Sequence, residues 1–181
     1  GNFNKTFIER EEYLRKLDIL SKGKEIIVIK GIRRSGKSSL VYLFIKELID
    51  SGIDPKRTLI INFEDPRFPT NLDLSDLMKI FEVYLSKVCN NPYIVVLDEV
   101  QYVNAWERFA RYLTESKDIK VIVTGSSSKL MSEEFATVLT GRHLDIEVFP
   151  LSFKEFLKFK GLEIKDELDL IKNRFDIKRL L

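Results

Sequence analysis

The sequence predicts an α/β fold, in which helices cover both faces of a parallel β-sheet. Short apolar runs alternate with longer amphipathic runs along the chain, and this alternation is typical of strand–helix–strand units. One run, Tyr93 to Leu97, is apolar at every position, as the buried middle strand of a parallel sheet requires. A third observation is a glycine-containing turn at 31–38 that joins an apolar run to an amphipathic one. Together these features predict a three-layer α/β/α architecture.

The first half of the chain contains two predicted helix–strand pairs. Residues 9–21 place their apolar side chains on one side of a helix, and residues 26–30 form the first strand. Residues 37–50 have apolar residues three and four positions apart, which is typical of an amphipathic helix. After a glycine and a proline break the pattern, residues 58–63 form the second strand.

The next elements are predicted in the same way. Residues 73–89 form a long amphipathic helix, and residues 93–97 form the third strand. Asn104 followed by Glu107 resembles a capping box, which would start the next helix. Residues 120–124 form the fourth strand.

The last part of the chain is predicted with less regular structure. Residues 125–142 form a polar loop and a short helix, and residues 143–148 form a fifth strand. This strand alternates between apolar and polar residues, so it belongs at an edge of the sheet. Ser152 and Glu155 suggest a second capping box, and a charged helical tail begins near residue 162.

The composition is that of an ordinary soluble chain of 181 residues. The 30 Lys and Arg against 28 Asp and Glu leave a net charge of +2, which gives no general support for nucleic acid as a partner, although a local basic patch stays open. No apolar run approaches membrane-spanning length. Cys89 is the single cysteine and cannot form an internal disulfide, so we expect a cytoplasmic protein. The chain starts with Gly and ends inside a helical pattern, and we expect it to be an N-terminal piece of a longer protein.

Residues 31–38, Gly-Ile-Arg-Arg-Ser-Gly-Lys-Ser, fit the phosphate-binding loop pattern of a glycine, four residues and Gly-Lys-Ser. Gly31 and Gly36 allow the loop to wrap, so that its backbone N–H groups point at anionic oxygens. Lys37 would bind the β- and γ-phosphates, and the Ser38 hydroxyl would ligate Mg²⁺. The predicted nucleotide-binding residues of this segment are Gly31, Arg33, Arg34, Ser35, Gly36, Lys37, Ser38 and Ser39. For the two arginines, contact with a neighbouring subunit or DNA, or simple solvation, stays open.

A pair of carboxylates follows the third strand directly. Asp98 would face the phosphate loop across the crevice at the carboxyl ends of the strands, and could hold Mg²⁺ together with Ser38. Glu99 would point in a different direction and could polarise the water that attacks the γ-phosphate. The alternative is that both are merely solvated carboxylates at the end of a strand.

Two other strand ends carry polar residues. Thr124 or Ser126, with Ser126 favoured, could hydrogen-bond the γ-phosphate or the attacking water, or could belong to a serine-rich loop that caps the next helix. Asn62, at the end of the second strand, could hydrogen-bond Glu99 and hold it away from the water. Satisfaction of the loop backbone by the Asn62 amide is an equally good interpretation.

The motifs together resemble the AAA+ class of P-loop ATPases, and more narrowly an archaeal and bacterial AAA family often fused to a C-terminal nuclease-like domain. The resemblance spans about residues 9–160 and rests on five segments: 31–38, 95–101 (Val-Val-Leu-Asp-Glu-Val-Gln), 123–128 (Val-Thr-Gly-Ser-Ser-Ser), 139–142 (Leu-Thr-Gly-Arg) and 149–156 (Phe-Pro-Leu-Ser-Phe-Lys-Glu-Phe). It implies a P-loop NTPase fold with a five-stranded parallel sheet of order 5-1-4-3-2. It also implies an AAA+ nucleotide-binding domain at 1–160, with a truncated helical lid or linker starting at 161–181.

The resemblance further implies roles for residues outside the phosphate loop. Arg142 would be an arginine finger that reaches the γ-phosphate of a neighbouring subunit and stabilises transition-state charge; a structural ion pair with a nearby Glu or Asp is the alternative. Arg10 falls where such proteins contact the adenine end of the nucleotide. The lid arginine has no clear counterpart, with Arg174 and Arg179 as the candidates.

These inferences lead to two functional hypotheses. The first is a Mg²⁺-dependent ATPase, with Lys37, Glu99, Ser126 and Arg142 as catalytic residues, whose nucleotide state drives a protein partner or a fused C-terminal domain. The second is a regulatory switch that holds nucleotide and turns over little of it. A GTPase is disfavoured because the sequence has no Asn-Lys-x-Asp run, and a small-molecule kinase because no second substrate pocket is evident.

Overall fold

A computed structural model describes residues 11–126, 139 and 141–149. Within these ranges, helices and strands alternate along the chain. The helices are α1 (Glu11–Ser21), α2 (Lys37–Asp50), α3 (Leu74–Lys87) and α4 (Trp106–Arg111). The strands are β1 (Ile26–Lys30), β2 (Thr58–Asn62), β3 (Ile94–Asp98), β4 (Lys120–Gly125) and β5 (His143–Glu147). Short 3₁₀ turns occur at Pro55–Arg57 and Val100–Tyr102, and a π-helical segment, Tyr112–Ser116, continues α4.

The five described strands form one parallel sheet of order β2-β3-β4-β1-β5. From the other edge this order is 5-1-4-3-2, so the predicted P-loop NTPase topology is confirmed. The strand that alternates between apolar and polar residues, β5, lies at an edge as predicted, and β3 is buried at every position. Because all strands run in one direction, their carboxyl ends meet at a single edge of the sheet.

The core consists of two apolar clusters, one on each face of the sheet. Successive strand residues point to opposite faces, so Val95 joins one cluster and Val96 joins the other. Phe81 of α3 and Phe109 of α4 fill the first cluster, with their rings 5.9 Å apart in a T-shaped arrangement. The second cluster contains residues of α1 and α2: Leu14, Leu17, Leu40, Val41, Phe44 and Ile45. The predicted three layers therefore follow from the strand and helix patterns.

Most predicted element boundaries agree with the structure to within two residues, but one predicted cap is wrong. The residue that caps α4 is Ala105, which has a left-handed backbone and makes no side-chain cap bond. Asn104 lies one residue earlier, and its backbone N–H donates to the Leu72 carbonyl at 3.0 Å, which ties it to the loop before α3. A capping box that the sequence analysis missed starts α3 instead, between Asp73 and Asp76.

Several predictions lie outside the described residues. These are the roles of Arg10, Arg174 and Arg179, the Ser152–Glu155 cap, and the lid at 161–181. No helix in the described part of the chain is both long enough and apolar enough to cross a membrane.

Candidate nucleotide-binding site

The predicted site residues meet where β1, β3 and β4 end. The phosphate loop joins β1 to α2, Asp98 is the last residue of β3, and Ser126 follows β4. The polar groups at the ends of these three neighbouring strands therefore face one crevice, which is the usual ligand position in open parallel sheets.

The phosphate loop is tightly wound and packs against the segment that follows β5. Gly36 has φ 90° and ψ 15°, a left-handed conformation that strongly favours glycine. A Cβ at Gly31 would lie 2.4 Å from the Val148 carbonyl oxygen and 2.7 Å from Ser35 Oγ. Both glycines are thus required by the backbone path, and Ser35 of the same loop is buried.

The Lys37 side chain is only 3% exposed and contacts two oxygens of the chain itself. Its ammonium donates to the Ile32 carbonyl at 3.0 Å and lies 3.8 Å from Glu99 Oε1. Burial lowers the pKa of Lys37, and the carboxylates of Glu99, Asp98 and Glu64 partly oppose this effect. The ammonium is therefore poorly solvated, so we expect it to bind an anionic group strongly.

Asp98 is buried and accepts hydrogen bonds from three side-chain hydroxyls of the described residues. Ser38 Oγ donates to Asp98 Oδ1 at 3.0 Å, and Thr124 Oγ1 donates to the same oxygen at 2.5 Å. Tyr42, one turn along α2 from Ser38, donates to Asp98 Oδ2 at 3.2 Å. Burial, together with the adjacent Asp98 charge, raises the pKa of Tyr42 to about 12. The Asp98 carboxylate is thus fixed beside Ser38.

Glu99 faces the same pocket, whereas a regular strand would have turned it to the other side. Its backbone has φ 60° and ψ 51°, which ends β3 and redirects the side chain. Its N–H donates to Thr124 Oγ1 at 2.9 Å. Glu99 Oε2 accepts hydrogen bonds from Gln101 Nε2 at 2.5 Å and from Ser126 Oγ at 3.1 Å. The Thr124 hydroxyl therefore bridges Asp98 and the Glu99 backbone, whereas the Ser126 hydroxyl contacts the Glu99 side chain.

These groups border an open pocket of about 580 Å³. Its lining consists of Arg33, Arg34, Gly36, Lys37, Ser38, Ser39, Glu64 and Glu99. Arg34 has a left-handed backbone with φ 64°, and Arg33 forms an ion pair with Glu64. The pocket thus holds three cationic side chains, two of which are partnered by carboxylates.

The oxygens of Ser38 and Asp98 fit a hard divalent cation. Mg²⁺ binds oxygen ligands and usually takes only one or two from protein, with the rest from phosphates and water. The described residues contain no group of three or more His, Cys, Asp or Glu placed to hold a metal by themselves. This donor set therefore suits a metal that arrives with a phosphorylated ligand.

Two predicted residues have partners away from the pocket. Arg142 directly precedes β5, at the amino end of the parallel strands, whereas the pocket lies at their carboxyl ends. It forms an ion pair with Glu115 that lowers the pKa of this carboxyl. Asn62 Oδ1 accepts a hydrogen bond from the Glu64 N–H at 3.0 Å, so the amide supports the loop backbone. The Glu99 carboxylate is held by Gln101 and Ser126 instead.

Three residues of this site were not predicted from the sequence: Tyr42, Glu64 and Gln101. Glu64 lies two residues beyond the end of β2, and the rule that strand ends meet at one edge would have selected it. Tyr42 lies four residues after Ser38, on the same face of α2. Gln101 carries no such signal, because its position depends on the tight turn after Glu99.

A comparison with protein families agrees with this geometry. A family model described as an AAA domain matches residues 23–157, which include the phosphate loop and the five described strands. The chain belongs to this AAA family. The resemblance to AAA+ P-loop ATPases is thereby confirmed, and the domain is of the nucleotide-binding, ATPase type. Fusion to a nuclease-like domain stays a prediction.

Relatives of this AAA domain occur in a bacterium and an archaeon. An uncharacterized protein of Haemophilus influenzae is 34% identical over 165 residues, which cover 91% of this chain and 41% of the relative. An uncharacterized protein of Methanocaldococcus jannaschii is 35% identical over 176 residues, which cover 93% of this chain and 38% of the relative. The chain therefore spans about two fifths of the length of these relatives.

Solved structures with low sequence identity share the fold. S. cerevisiae Hsp104, in a complex with casein, gives a TM-score of 0.58 at 14% identity, covering 85% of this chain and 29% of that one. A DNA polymerase III gamma subunit-related protein of Thermotoga maritima gives 0.56 at 17%, covering 92% and 57%. A DNA replication initiation factor gives 0.53 at 18%, covering 93% and 59%.

Proposed function

We propose that this AAA domain binds ATP with Mg²⁺ between the phosphate loop and the ends of β3 and β4, and hydrolyses it. One observation carries the proposal: a cation and a hydroxyl from the start of α2 each meet one of two adjacent carboxylates. Ser38 Oγ lies 3.0 Å from Asp98 Oδ1, and Lys37 Nζ lies 3.8 Å from Glu99 Oε1. This pairing gives separate carboxylates for a metal and for a water molecule.

Binding depends on an exchange of partners by Lys37. Its ammonium donates to the Ile32 carbonyl, and a triphosphate would replace this neutral acceptor with charged oxygens. The N–H groups at the start of α2 and the helix dipole add favourable interactions with the phosphates. Arg33 and Arg34 line the same pocket and would contribute further positive charge.

Hydrolysis needs little covalent participation by the protein. Mg²⁺, held by Ser38 and Asp98, would neutralise charge on the β- and γ-phosphates. Glu99 would accept a proton from the attacking water while the water oxygen forms a bond to the γ-phosphorus. The bond from this phosphorus to the bridging oxygen then breaks, and the oxygen leaves as part of ADP. The products are ADP and inorganic phosphate.

A titration with fluorescent ATP and GTP analogues, with and without Mg²⁺, tests the binding part of the proposal. We expect saturable binding that is tighter for ATP than for GTP and is strengthened by Mg²⁺. Calorimetry with unlabelled ATP provides the label-free control. Absence of binding with both nucleotides would reject the proposed site.

The catalytic part is tested by Glu99→Gln, which keeps the shape of the side chain but removes its proton acceptor. We expect an ATP affinity equal to or above that of wild type, because a negative charge beside Lys37 is removed, and a turnover reduced by at least roughly 100-fold, as for the loss of a general base. Phosphate release is the measurement. Glu82→Gln, the same change at an exposed position on α3, should retain wild-type turnover. Equal turnover of Glu99→Gln and wild type would exclude Glu99 from this role.

A nucleotide-dependent switch with little turnover is the second candidate. It is favoured by the resting ion pairs, Lys37 with Glu99 and Arg33 with Glu64, which keep the catalytic groups engaged with each other. Single-turnover and steady-state rates distinguish the two functions. A switch would show tight binding with a kcat that stays far below the enzyme range of about 1 per second in every condition.

Self-association through Arg142 is proposed from its place in the sheet. Arg142 lies beyond the start of β1, where its carbonyl accepts from the Ile26 N–H, whereas the phosphate loop follows the end of this strand. Five strand residues at about 3.3 Å each separate them by roughly 16 Å, which is more than an arginine side chain spans. Arg142 could therefore reach a nucleotide only on a second copy of the chain.

A complementation experiment tests this arrangement. The Arg142→Ala variant keeps an intact nucleotide pocket, and the Lys37→Met variant keeps an intact Arg142. Each variant should therefore have low turnover alone. A mixture should recover activity, because Arg142 of one variant can act on the pocket of the other. Specific activity of the wild type should also rise with protein concentration. A mixture no more active than its components, with a flat concentration dependence, would contradict action in trans.

The wider role is inferred from the family and the length of the relatives. We propose that the nucleotide state acts on a protein partner or on a fused C-terminal domain, because the chain covers only 41% and 38% of the first two relatives. The net charge of +2 favours no general nucleic-acid role. A cytoplasmic location is consistent with an ATP-dependent domain that has one cysteine.

A further inference from the structure

We propose that Gln101 is a positioning residue that fixes the Glu99 carboxylate for catalysis; this inference rests on the proposed ATPase function. Gln101 lies on the 3₁₀ turn Val100–Tyr102, directly after Glu99. Among the described residues, its amide forms hydrogen bonds with Glu99 and Ser126. It thereby connects the end of β3 to the end of β4.

The polarity of the partners fixes the orientation of the Gln101 amide. Its Nε2 donates to Glu99 Oε2 at 2.5 Å and to Ser126 Oγ at 3.2 Å. Its Oε1 accepts from the Ser126 N–H at 3.3 Å. A carboxylate needs a donor and a backbone N–H needs an acceptor, so the reversed amide would lose both interactions. The Gln101 amide therefore has one suitable orientation.

The consequence for Glu99 is that its two oxygens differ. Oε2 accepts from both Gln101 and Ser126, whereas Oε1 faces Lys37 at 3.8 Å. Because Lys37 marks the position of the terminal phosphates, Oε1 is the oxygen placed to accept the proton of the attacking water. The left-handed backbone and the bond from the Glu99 N–H to Thr124 remove further freedom.

This arrangement pre-organises the reactive oxygen. A carboxylate on a flexible side chain samples many orientations, and small displacements of a catalytic group cost up to about 100-fold in rate. Supporting hydrogen bonds restrict this sampling. Gln101 is not among the described residues that line the pocket, so we expect its effect in kcat and not in ATP affinity.

The test is Gln101→Ala, measured by steady-state phosphate release and by ATP titration. We expect kcat to fall roughly 10- to 100-fold, with KM and ATP affinity within about twofold of wild type. Gln101→Glu should also lose activity, because it places a like charge beside Glu99. Tyr102→Phe, which removes only an exposed hydroxyl from the same turn, is the matched control and should retain wild-type kcat.

A double-mutant cycle separates positioning from a general structural effect. In a Glu99→Gln background, Gln101→Ala should cause little further loss, because residues that act as one unit are non-additive. A full additional loss, or a Gln101→Ala variant with wild-type or raised kcat, would overturn the inference and leave the ATPase proposal standing. A wild-type chain that releases no phosphate would overturn both.

Discussion

At the residue scale, opposite charges lie at close range in the pocket. Lys37 lies beside Glu99, and Arg33 pairs with Glu64. Each carboxylate neutralises a cation that the proposed function assigns to phosphate. The triphosphate must therefore compete with groups of the protein itself, and changes to single side chains should separate stability from binding.

Lys37→Met should abolish ATP binding without lowering the stability of the protein measured in the absence of nucleotide. Burial lowers the pKa of Lys37 despite the nearby carboxylates, which means that the fold disfavours its charged form. The neutral side chain removes this cost, so we expect a melting temperature equal to or above that of wild type. As the pH rises toward 10.5, Lys37 of the folded wild type loses its proton while Lys37 of the unfolded chain still holds it. The wild type should therefore gain stability over this range, and Lys37→Met should not show this gain.

The measurement is thermal unfolding without nucleotide, followed by ATP titration of the same samples. Lys46→Met is the control, because it removes an ammonium from the exposed face of the same helix. It should keep ATP binding and leave the melting temperature nearly unchanged. A Lys37→Met protein clearly less stable than wild type would show that the ion pair outweighs desolvation.

Glu64→Gln should tighten ATP binding. The change removes a negative charge from a pocket that takes an anion and releases Arg33 from its ion pair. At an effective dielectric typical of a partly exposed site, we expect the dissociation constant to fall by roughly three- to tenfold. Asp65→Asn removes the same charge one residue along the loop, where the side chain contacts Arg67, and should change affinity less. Weaker binding by Glu64→Gln would instead assign this carboxylate to the metal.

At the element scale, the sequence predicts the strands and helices well because each carries its own periodicity. The apolar run before Asp98 identifies β3, and the spacing after Lys37 identifies α2 from its first residue. The same local signals place Ser38 and Asp98 together, because both elements end or begin at one edge of the sheet. These are inferences from alternation and from the direction of parallel strands.

Local patterns could not predict contacts that depend on backbone irregularities. The Asn104–Glu107 box failed because Ala105, with a left-handed backbone, starts α4. The hydrogen bond from Gln101 to Glu99 depends on the left-handed backbone of Glu99. It also depends on the proximity of the ends of β3 and β4. Neither feature can be inferred from the spacing of hydrophobic residues, because that spacing carries no information on left-handed backbone conformations.

The junction between the phosphate loop and the segment after β5 gives an element-scale prediction. A Cβ at Gly31 would lie 2.4 Å from the Val148 carbonyl oxygen, which is backbone and can retreat only if the segment shifts. We expect Gly31→Ala to lower the free energy of unfolding by about 1–3 kcal/mol, as for overpacking, and to weaken ATP binding.

Gly23→Ala is the matched control for this change. A Cβ there would also meet an atom at 2.3 Å, but that atom is Glu25 Oε2, the end of a side chain that can move away. Urea unfolding should show a small effect at Gly23 and a large one at Gly31. Equal effects at the two glycines would mean that the contact with Val148 does not constrain the loop.

At the scale of the whole molecule, the sheet separates two apolar cores, and a few polar contacts join the layers at their margins. Tyr84 of α3 is one of these, because its hydroxyl donates to the Lys56 carbonyl at 2.5 Å, next to the start of β2. The Tyr84 side chain is 6% exposed and contributes to the first core cluster. Its protonation state is therefore linked to the stability of the entire fold.

Burial, followed by the neighbouring Cys89, raises the pKa of Tyr84 from 10.0 to about 12. The folded state thus favours the protonated phenol, and the stabilisation is complete below pH 10 and is lost as the pH rises toward 12. A shift of this size corresponds to roughly 3 kcal/mol. Tyr84→Phe cannot ionise, so its free energy of unfolding should decline less than that of wild type across this window.

The measurement is urea unfolding of both proteins at pH 8, 10 and 11, with the difference between them as the reported quantity. At pH 8 the variant should be less stable by about 1 kcal/mol, because the Lys56 carbonyl loses its donor. This deficit should shrink at pH 11. Tyr102→Phe, at an exposed position, should run parallel to wild type at every pH. A Tyr84→Phe deficit that stays constant from pH 8 to 11 would show that the phenol has the same pKa in the folded and unfolded chains, and the linkage would be wrong.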